Sequence, residues 1–435
     1  MAERPKADPH PCNMRKLLTS ATCPHCWGTF PPEDVLWIAE SPDLTGDRKL
    51  GENERVRFLP TQFDDQGFAL DADGYPCREN ACPRCHLRLP QGNLEAPPLF
   101  LSIVGAPASG KSYYLASSTF ELRKRMARDF LINFTDADAL MNQRVRDYEN
   151  KQFFSGDRYV QLEKTEKEGD LYNMVKMGDQ QIIYPQPFVF TAHPTPKHPN
   201  AENAETVART ICLYDNAGES YLPVQGADSA DSPVTRHLAK SSAIFFVFDP
   251  TQDPRFRSEC LRVSNDPQIQ EDYASAGFRR SPQRQEAVLN EMVRRVRAYL
   301  RMRNTELYKK PLVIIVGKYD VWRPLIDSPQ VDLIVNHSYN GRRYNWLALK
   351  NLQSLSAKVR DLLLDKTPEF VAAAESFAKE VVYIPTSATG VSPTVDLANA
   401  VNGFRSIDLK PQWCEIPMLY AIARTAPGLV PIWKN

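Results

Sequence analysis

One eight-residue segment has the residue types and spacing of a phosphate-binding loop. Residues Gly105–Ser112 read GAPASGKS and fit the pattern Gly-x4-Gly-Lys-Ser. In such a loop the glycines let backbone N–H groups wrap a phosphate chain, Lys111 neutralises phosphate oxygens, and the Ser112 hydroxyl reaches Mg²⁺. The alternative is an ordinary Gly-Ser turn. The residues expected to contact the phosphates are Gly105, Ala108, Ser109, Gly110, Lys111, Ser112 and Tyr113.

Two Cys-Pro-x-Cys pairs provide a second candidate chemistry, because four thiolates complete a tetrahedral Zn²⁺ site. The pairs are Cys23 with Cys26 and Cys82 with Cys85. The 55 residues between the pairs exceed the usual spacing of about 15 to 20 in a zinc ribbon, which implies a long insert. Closed four-cysteine sites are structural, so we expect this module to serve recognition of a protein partner.

The cysteines leave other assignments open. They could be free and buried, or one ligand could be exchanged for another residue of the same region. A redox role is disfavoured because no strand-helix unit of the thioredoxin type surrounds the pairs. The residues that could replace a cysteine ligand are His25, His86, Cys12 and Cys77.

The phosphate-binding loop needs a strand before it and a helix after it, and the sequence offers both. Leu99–Val104 reads as a buried strand, and 112–128 is compatible with a helix. Strands and helices alternate from there on, which predicts a mostly parallel sheet with helices on both faces. The further strands predicted are Phe130–Phe134, Pro187–Thr191, Ala208–Tyr214, Ala243–Phe248, Leu312–Val316 and Val381–Ile384. The further helices predicted are Arg284–Arg303, Trp346–Leu364 and Ile416–Arg424.

An acidic loop follows one of these strands. Residues 215–219 read DNAGE and fit Asp-x-x-Gly at a strand end. An aspartate in that position, Asp215, can hold Mg²⁺ through water, and the N–H of Gly218 can bond a γ-phosphate and respond to its loss. A turn after a strand is the alternative.

With these loops in order, the chain resembles the P-loop GTPases of the translation-factor-related (TRAFAC) class. Gly317–Asp320, GKYD, is similar to the family's Asn/Thr-Lys-x-Asp loop. The resemblance implies that Lys318 and Asp320 select guanine, whose ring N–H and amino group donate to the carboxylate. Gly317 departs from the family pattern, because it lacks the side chain that braces this loop. A turn with a solvated lysine and aspartate remains the alternative.

Residues 385–389, PTSAT, look like the family's Ser-Ala loop, in which a backbone N–H near Ala388 would bond the guanine carbonyl and Ser387 precedes it. The resemblance therefore implies an α/β P-loop NTPase fold, GTPase-like and three-layered, beside a small N-terminal zinc-bound module. It also implies GTP or GDP as the ligand with Mg²⁺.

Hydrolysis by such a protein depends on residues that the sequence assigns less clearly. The family covers the γ-phosphate with a threonine, and Thr165 is our candidate, with Thr191 and Thr195 as competitors. Many relatives orient water with a glutamine where this chain has Glu219. Because a carboxylate repels the γ-phosphate, we expect slow GTP hydrolysis that a partner or self-association accelerates. No arginine can be singled out as a cationic finger.

Composition bounds the remaining possibilities. Lys plus Arg and Asp plus Glu are both 53 in 435 residues, so no overall positive charge attracts nucleic acid, and only local binding stays open. Apolar runs such as Ala243–Phe248 fall far short of the roughly 20 residues of a membrane span. The N-terminus lacks the apolar stretch of a secretory signal, so we expect a cytoplasmic protein.

The sequence thus predicts a zinc-ribbon-like module with a long insert at 1–96 and a P-loop GTPase domain at 97–435, with an inserted segment at about 137–186. The combination looks like bacterial double-GTPase-type proteins of multi-gene GTPase systems, with conflict or defence as one setting. We expect a GTP-binding molecular switch. The alternatives are a nucleotide-gated scaffold with little hydrolysis and a zinc-ribbon nucleic-acid binder under NTPase control.

Overall fold

The computed structural model describes residues 17–156, 159–160, 172–215, 233–270, 284–326, 331–396 and 401–434. Three predicted site residues, Thr165, Gly218 and Glu219, lie outside these ranges, as does Cys12. Within the described ranges, no helix combines the length and the apolar character that crossing a membrane requires.

The N-terminal segment folds into short antiparallel strands that surround the four cysteines. Its strands are β1 (Ala21–Thr22), β2 (Thr29–Phe30), β3 (Leu36–Ile38), β4 (Thr45–Asp47), β5 (Gly51–Arg55), β6 (Arg57–Phe58), β7 (Ala69–Leu70), β8 (Pro76–Cys77) and β9 (Asn80–Ala81). Strands this short bury little apolar surface, so a metal-held core is the expected source of stability.

Longer strands and helices begin after Pro97. The first half contains β10 (Pro98–Gly105), α1 (Lys111–Arg128), β11 (Ile132–Asp136), α2 (Gln143–Phe153), β12 (Tyr159–Val160), β13 (Tyr172–Met177), β14 (Gln180–Pro185), β15 (Phe188–Pro194), α3 (Ala204–Val207), β16 (Arg209–Asp215), α4 (Pro233–Lys240), β17 (Ala243–Phe248), α5 (Pro254–Val263) and α6 (Pro267–Gln270). The second half contains α7 (Gln285–Leu300), β18 (Leu312–Val316), α8 (Tyr319–Trp322), β19 (Ile334–Tyr339), β20 (Arg342–Ala348), α9 (Leu349–Lys366), α10 (Pro368–Phe377), β21 (Val381–Pro385), β22 (Thr394–Asp396), β23 (Val401–Arg405), α11 (Ile416–Thr425) and β24 (Ile432–Trp433).

Among the described residues, seven of these strands form the main sheet in the order β11-β15-β16-β10-β17-β18-β21. The five strands from β16 to β21 are mutually parallel, and β15 pairs antiparallel with both β16 and β11. All seven segments read as strands from their apolar runs contribute to this sheet, and the prediction of a mostly parallel sheet is confirmed.

The direction in which the chain adds strands to the sheet reverses at β10. The chain leaves β10 for β11, β15 and β16 on one side, then continues with β17, β18 and β21 on the other. The carboxyl ends are nearly level, since Ile103 pairs with Asp215 and Gly105 pairs with Val247. In open α/β sheets, ligands bind at such a reversal, beyond the carboxyl ends of the strands.

The two faces of the sheet have different coverings. Ile103 and Leu213 belong to the main core that also includes buried residues of α1. On the other face, Cys212 and Tyr214 form a smaller cluster against Trp27 of the N-terminal segment. Side chains alternate along a strand, so adjacent residues of β16 face different neighbours.

Two predicted elements begin two or more residues later than expected. The strand expected at Phe130–Phe134 begins at Ile132, because α1 runs to Arg128 and Leu131 has a positive φ of 58°. The helix expected from Trp346 begins at Leu349, because Val335 pairs with Trp346 within the β19–β20 hairpin.

The polar segment predicted as an insertion contributes α2 and the β13–β14 hairpin. Val175 and Tyr184 of this hairpin pack in the same buried cluster as the four cysteines. The backbone N–H of Lys176 also donates to the carbonyl of Lys49 at 2.8 Å. The hairpin therefore packs against the N-terminal module.

Candidate functional site

The loop after β10 has the geometry of a phosphate cradle. Gly110, directly before α1, has φ of 84°, a left-handed conformation that favours glycine. A Cβ at Gly105 would lie 2.8 Å from both the Ser109 hydroxyl and the Val247 carbonyl oxygen, so only glycine fits there without a shift. Lys111 Nζ donates to the Gly105 carbonyl at 3.3 Å, which folds this side chain back over the loop.

Asp215 ends β16 beside this loop and is only 7% exposed. Its Oδ2 lies 3.4 Å from Arg144 Nη2, which α2 supplies. The Arg144 guanidinium also lies over the Phe188 ring, 4.9 Å from its centroid. The sequence did not indicate Arg144, because nothing local distinguishes it from the other arginines of a polar segment.

Lys318, after β18, is held by a second buried aspartate. Its φ of 54° turns the chain sharply, and its Nζ lies 3.2 Å from Asp249 Oδ2 and donates to Thr251 Oγ1 at 3.0 Å. Burial alone would favour the neutral amine, but pairing with Asp249 keeps the pKa of Lys318 above its ordinary value. Gln285 in turn bonds both backbone groups of Asp249. Sequence reasoning missed Asp249, although an aspartate directly after a buried strand was a usable signal.

Asp320 and Ser387 contact each other across the ends of β18 and β21. The Ser387 hydroxyl donates to Asp320 Oδ1 and accepts from the backbone N–H of Gly390 at 2.7 Å. Burial raises the pKa of Asp320 above its ordinary value, and the Ser387 hydrogen bond opposes this shift. The two residues that the sequence assigned to separate loops therefore form one unit.

The loop containing Ala388 is hydrogen-bonded to α1 and α2, the two helices that follow the phosphate-binding loop in the chain. The Ala388 carbonyl accepts from Ser117 Oγ of α1 at 2.6 Å and from Gln152 Nε2 of α2 at 3.1 Å. Gln152 Nε2 also lies 2.8 Å from Ser117 Oγ. The same helix that begins at Lys111 thus positions the loop expected to meet the base.

The four predicted cysteine ligands form one buried cluster. Their Sγ atoms all lie within 4.8 Å of one another, and the pairs Cys23–Cys85 and Cys26–Cys82 are separated by 3.7 Å. Thiolates about 2.3 Å from a central zinc lie about 3.8 Å apart in a tetrahedron, so the cluster fits the ion. Burial raises the pKa of the Cys23 thiol in the metal-free chain.

Backbone N–H groups of His25 and Arg84 donate to Cys23 Sγ and Cys82 Sγ, both at 3.3 Å. The alternative ligands within the described ranges have other partners. His25 Nε2 lies 3.0 Å from a backbone carbonyl, His86 Nδ1 lies 2.8 Å from Asp47 Oδ2, and Cys77 Sγ donates to a backbone carbonyl at 3.5 Å.

The two threonines that competed with Thr165 lie away from this edge. Because β15 runs antiparallel to β16, Thr191 pairs with Thr210 at the beginning of β16. Thr195 follows the end of β15, farther in the same direction. Neither threonine is therefore placed to cover a γ-phosphate at the carboxyl ends of the strands.

Comparisons with known proteins give weak similarities. No family model matches the chain. A curated relative, "Putative ESX-1 scaffolding and assembly protein SaeC" of Mycolicibacterium smegmatis, is 26% identical over 260 residues, covering 54% of this chain and 59% of that protein. The chain thus spans somewhat over half the length of that relative.

Two similar solved structures are a GTPase and a GTPase-like domain. An Era variant of Aquifex aeolicus bound to GDP and AlF4⁻ has a TM-score of 0.21 and 14% identity, covering 66% of this chain and 50% of that chain. The S. cerevisiae Ski7 GTPase-like domain bound to GTP has a TM-score of 0.25 and 12% identity, covering 76% and 51%. These TM-scores are too low for the neighbours' ligands to be transferred to this chain.

Proposed function

We propose that the chain is a P-loop, guanine-nucleotide-binding switch protein that hydrolyses GTP slowly with Mg²⁺. The observation that supports this most is the shared edge at which four strands end. Strands β10, β16, β18 and β21 all end at the same edge of the sheet, around the reversal of strand order at β10, and a sequence motif begins at or after the end of each. Each carries residue types suited to one part of a nucleotide.

The phosphate half of the proposed site is built from two of these loops. Lys111 and the N–H groups of Gly105–Ser112 would neutralise and bind the phosphates. Ser112 and Asp215 would hold Mg²⁺, which would offset charge on the transferring phosphoryl group when bound. In the structure Asp215 is paired with Arg144, so Mg²⁺ binding would compete with this ion pair.

The base half of the proposed site lies at β18 and β21. The Asp320 carboxylate would accept from the ring N–H and the amino group of guanine, a donor pair that adenine lacks. The Ser387 hydroxyl donates a hydrogen bond to this carboxylate. The hydrogen bond from Ser117 of α1 to the Ala388 carbonyl limits movement of the loop after β21. Such positioning before the ligand arrives favours tight binding.

Gly317 replaces the residue that would brace the base loop, but other contacts restrain this segment. Its backbone N–H donates to the Phe248 carbonyl at 2.8 Å, and its carbonyl accepts from the Trp322 indole at 2.7 Å. The Lys318–Asp249 ion pair adds a third restraint. We infer that these contacts compensate for the missing side chain.

Zn²⁺ at the four cysteines is the second part of the proposal. The short Sγ separations and the two N–H···Sγ bonds support it. Four protein thiolates leave no open coordination position, so the ion would stabilise the module and take no part in hydrolysis.

The proposal is tested by identifying the nucleotide that copurifies with the full chain and by measuring its turnover. We expect GDP, with slow Mg²⁺-dependent release of phosphate from GTP. Lys111→Ala should weaken binding by about 10- to 100-fold, because it removes charged hydrogen bonds of about 1.5 to 3 kcal/mol. Rapid ATP turnover without a preference for GTP would overturn the proposal.

A nucleotide-gated scaffold is the second candidate, favoured by the similarity to a protein described as acting in scaffolding and assembly. It would bind the same nucleotides with the same loops but barely hydrolyse GTP. Single-turnover phosphate release, measured beside GTP and GDP affinities, separates the two candidates.

A further inference from the structure

Tyr214 joins the four-cysteine module to the strand end that carries Asp215. Its side chain is fully buried and lies on the face of the sheet opposite to that of Asp215. The Trp27 indole N–H donates to the Tyr214 hydroxyl at 3.0 Å. That hydroxyl donates in turn to the carbonyl of Pro24, which lies between the ligands Cys23 and Cys26. The proposed metal site and the end of β16 are therefore linked through one side chain.

The Tyr214 ring also contacts the element that follows the acidic loop. It stacks on His237 of α4, with centroids 5.1 Å apart and planes inclined by 17°. His237 Nδ1 lies 2.7 Å from the Ser102 hydroxyl of β10, and burial lowers the pKa of His237 to about 3. The imidazole is thus neutral at physiological pH. Tyr214 consequently joins the module, β10, β16 and α4 in one buried group.

A second series of contacts connects the N-terminal module to Asp215 through helix α2. Arg88 Nη2 lies 2.6 Å from Asp138 Oδ2, and the Asp138 side chain is only 6% exposed. Asp138 Oδ1 accepts from the backbone N–H groups of Leu140 and Met141, in the turn that leads to α2. Helix α2 supplies Arg144, the ion-pair partner of Asp215.

The module thus holds both elements that flank Asp215, β16 through Tyr214 and α2 through Asp138. Arg88 is itself close to the cysteines, since its backbone carbonyl lies 3.0 Å from His25 Nε2. If the surroundings of Asp215 differ between the GTP-bound and the GDP-bound chain, the end of β16 or helix α2 would move. Such a movement would strain the contact at Tyr214 or the contact at Asp138. Packed interfaces respond to such shifts by switching between discrete arrangements.

We propose that the zinc module is part of the nucleotide switch, with Tyr214 and Asp138 as the positioning residues that couple zinc retention to the bound nucleotide. This inference rests on the proposed function. Coupling between two binding sites is reciprocal, so the nucleotide must affect zinc retention if zinc affects nucleotide affinity. The zinc arm of this linkage can be measured without any hydrolysis.

The test measures the equilibrium partition of zinc between the full chain and a colorimetric chelator of known zinc affinity. It compares three samples: no nucleotide, GDP with Mg²⁺, and a non-hydrolysable GTP analogue with Mg²⁺. Nucleotide binding is checked in the same samples by equilibrium dialysis. We expect the zinc dissociation constants with GDP and with the GTP analogue to differ by at least about five-fold, the lower end of typical coupling between sites.

Two variants assign the coupling to the contacts. Tyr214→Phe removes the hydroxyl that contacts Trp27 and Pro24 but keeps the ring. Asp138→Asn removes the charge that faces Arg88 and keeps an oxygen for the turn. Both should bring the ratio of the two zinc dissociation constants close to one. Tyr75→Phe, an exposed tyrosine of the same module, should leave the ratio unchanged.

The outcomes separate this inference from the function on which it rests. If the wild-type chain binds both nucleotides and its zinc dissociation constant is the same with each, the coupling is wrong and the nucleotide site stands. A nucleotide-dependent ratio that persists in both variants would overturn the roles of Tyr214 and Asp138. A chain that binds neither nucleotide would overturn the proposed nucleotide site and this inference together. A chain that retains no zinc would overturn this inference and the proposed zinc site, and would leave the nucleotide site standing.

Discussion

At the scale of single residues, buried charges define the candidate site more sharply than the loop motifs do. The buried Asp215 and Asp249 and the half-buried Asp320 all lie at or just after the ends of strands of one sheet, and each has a specific partner. Burying a charge costs free energy unless the charge is paired. Each partner therefore holds its carboxylate in one position before a ligand binds.

Asp320 provides a prediction about base preference. Replacing it by asparagine keeps one acceptor for the ring N–H but turns the second acceptor into a donor. Xanthine presents a carbonyl where guanine presents an amino group. Asp320→Asn should therefore lose affinity for GDP by about 10- to 100-fold, since hydrogen bonds to a charged group are worth about 1.5 to 3 kcal/mol. The same change should gain affinity for xanthosine diphosphate.

Competition binding with the two diphosphates checks this exchange. Asp365→Asn on α9 is the control, because its carboxylate is exposed and lies outside the proposed base site. An unchanged ratio of the two affinities in Asp320→Asn would show that this loop does not meet the base.

Arg144 provides a prediction about magnesium. Because its guanidinium pairs with Asp215, removing it should free the carboxylate for the cation. Arg144→Gln should lower the Mg²⁺ concentration that half-saturates GDP binding. Arg146→Gln on the same helix, where the arginine pairs with Asp136 instead, should not. A higher Mg²⁺ requirement in Arg144→Gln would mean that this arginine assists nucleotide binding.

At the scale of elements, helix α1 connects the two halves of the proposed site. It begins at Lys111, and about one and two-thirds turns later its Ser117 hydroxyl donates to the Ala388 carbonyl. The phosphate loop and the loop after β21 are thereby positioned by one rigid segment. A helix can carry such a distance constraint because its backbone hydrogen bonds are internal.

Ser117→Ala tests this connection. It removes hydrogen bonds to Ala388 and Gln152, so we expect a loss of about 1 kcal/mol in stability. The affinity for GDP should fall more than the affinity for pyrophosphate, because the loop at Ala388 is expected to meet only the base. Ser118→Ala, the neighbouring buried serine, is the matched control for stability. Equal losses for GDP and pyrophosphate would contradict the assignment of this loop.

The elements of the main sheet were the part most open to prediction. Most of its strands contain a short apolar run, and buried parallel strands read in this way because both faces are covered. The β19–β20 hairpin was missed because the strands were predicted from continuous apolar runs, whereas Tyr344 and Trp346 of β20 alternate with Arg343 and Asn345. Asn340-Gly341 between the two strands is a strong hairpin signal that could have revealed it.

Parts of the site that depend on distant contacts could not be predicted. Arg144 and Asp215 are 71 positions apart, and nothing near either residue encodes their pairing. The link between Trp27 and Tyr214, 187 positions apart, is of the same kind. A sequence motif identifies site residues that are close together in the chain. Ion-pair partners and supporting hydrogen bonds come from distant residues that only the tertiary fold brings together.

At the scale of the whole molecule, the N-terminal module packs against the β13–β14 hairpin and against the main sheet. Its cysteines share a buried cluster with Val175 and Tyr184 of the β13–β14 hairpin, and Tyr214 joins it to the main sheet. Loss of the proposed zinc ion should therefore destabilise the contacts between the module and the main sheet as well as the module itself.

Cys23→Ser tests the contribution of zinc. Metal analysis of the purified wild-type chain should give about one zinc per chain, and the variant should retain much less. Structural zinc supplies a large share of the folding free energy in small metal-held modules, so the midpoint of thermal unfolding should fall. Cys77→Ser, at a buried cysteine outside the cluster, should keep the metal. Full zinc content in Cys23→Ser would remove this residue from the site.

The most direct test of the account is the affinity of the full chain for GDP, GTP and ATP, measured with Mg²⁺ by equilibrium competition. The account predicts that GDP and GTP bind at least about ten-fold more tightly than ATP, since each lost hydrogen bond to Asp320 costs about 1.5 to 3 kcal/mol. Equal affinities for GTP and ATP, or no binding of any of the three, would contradict it.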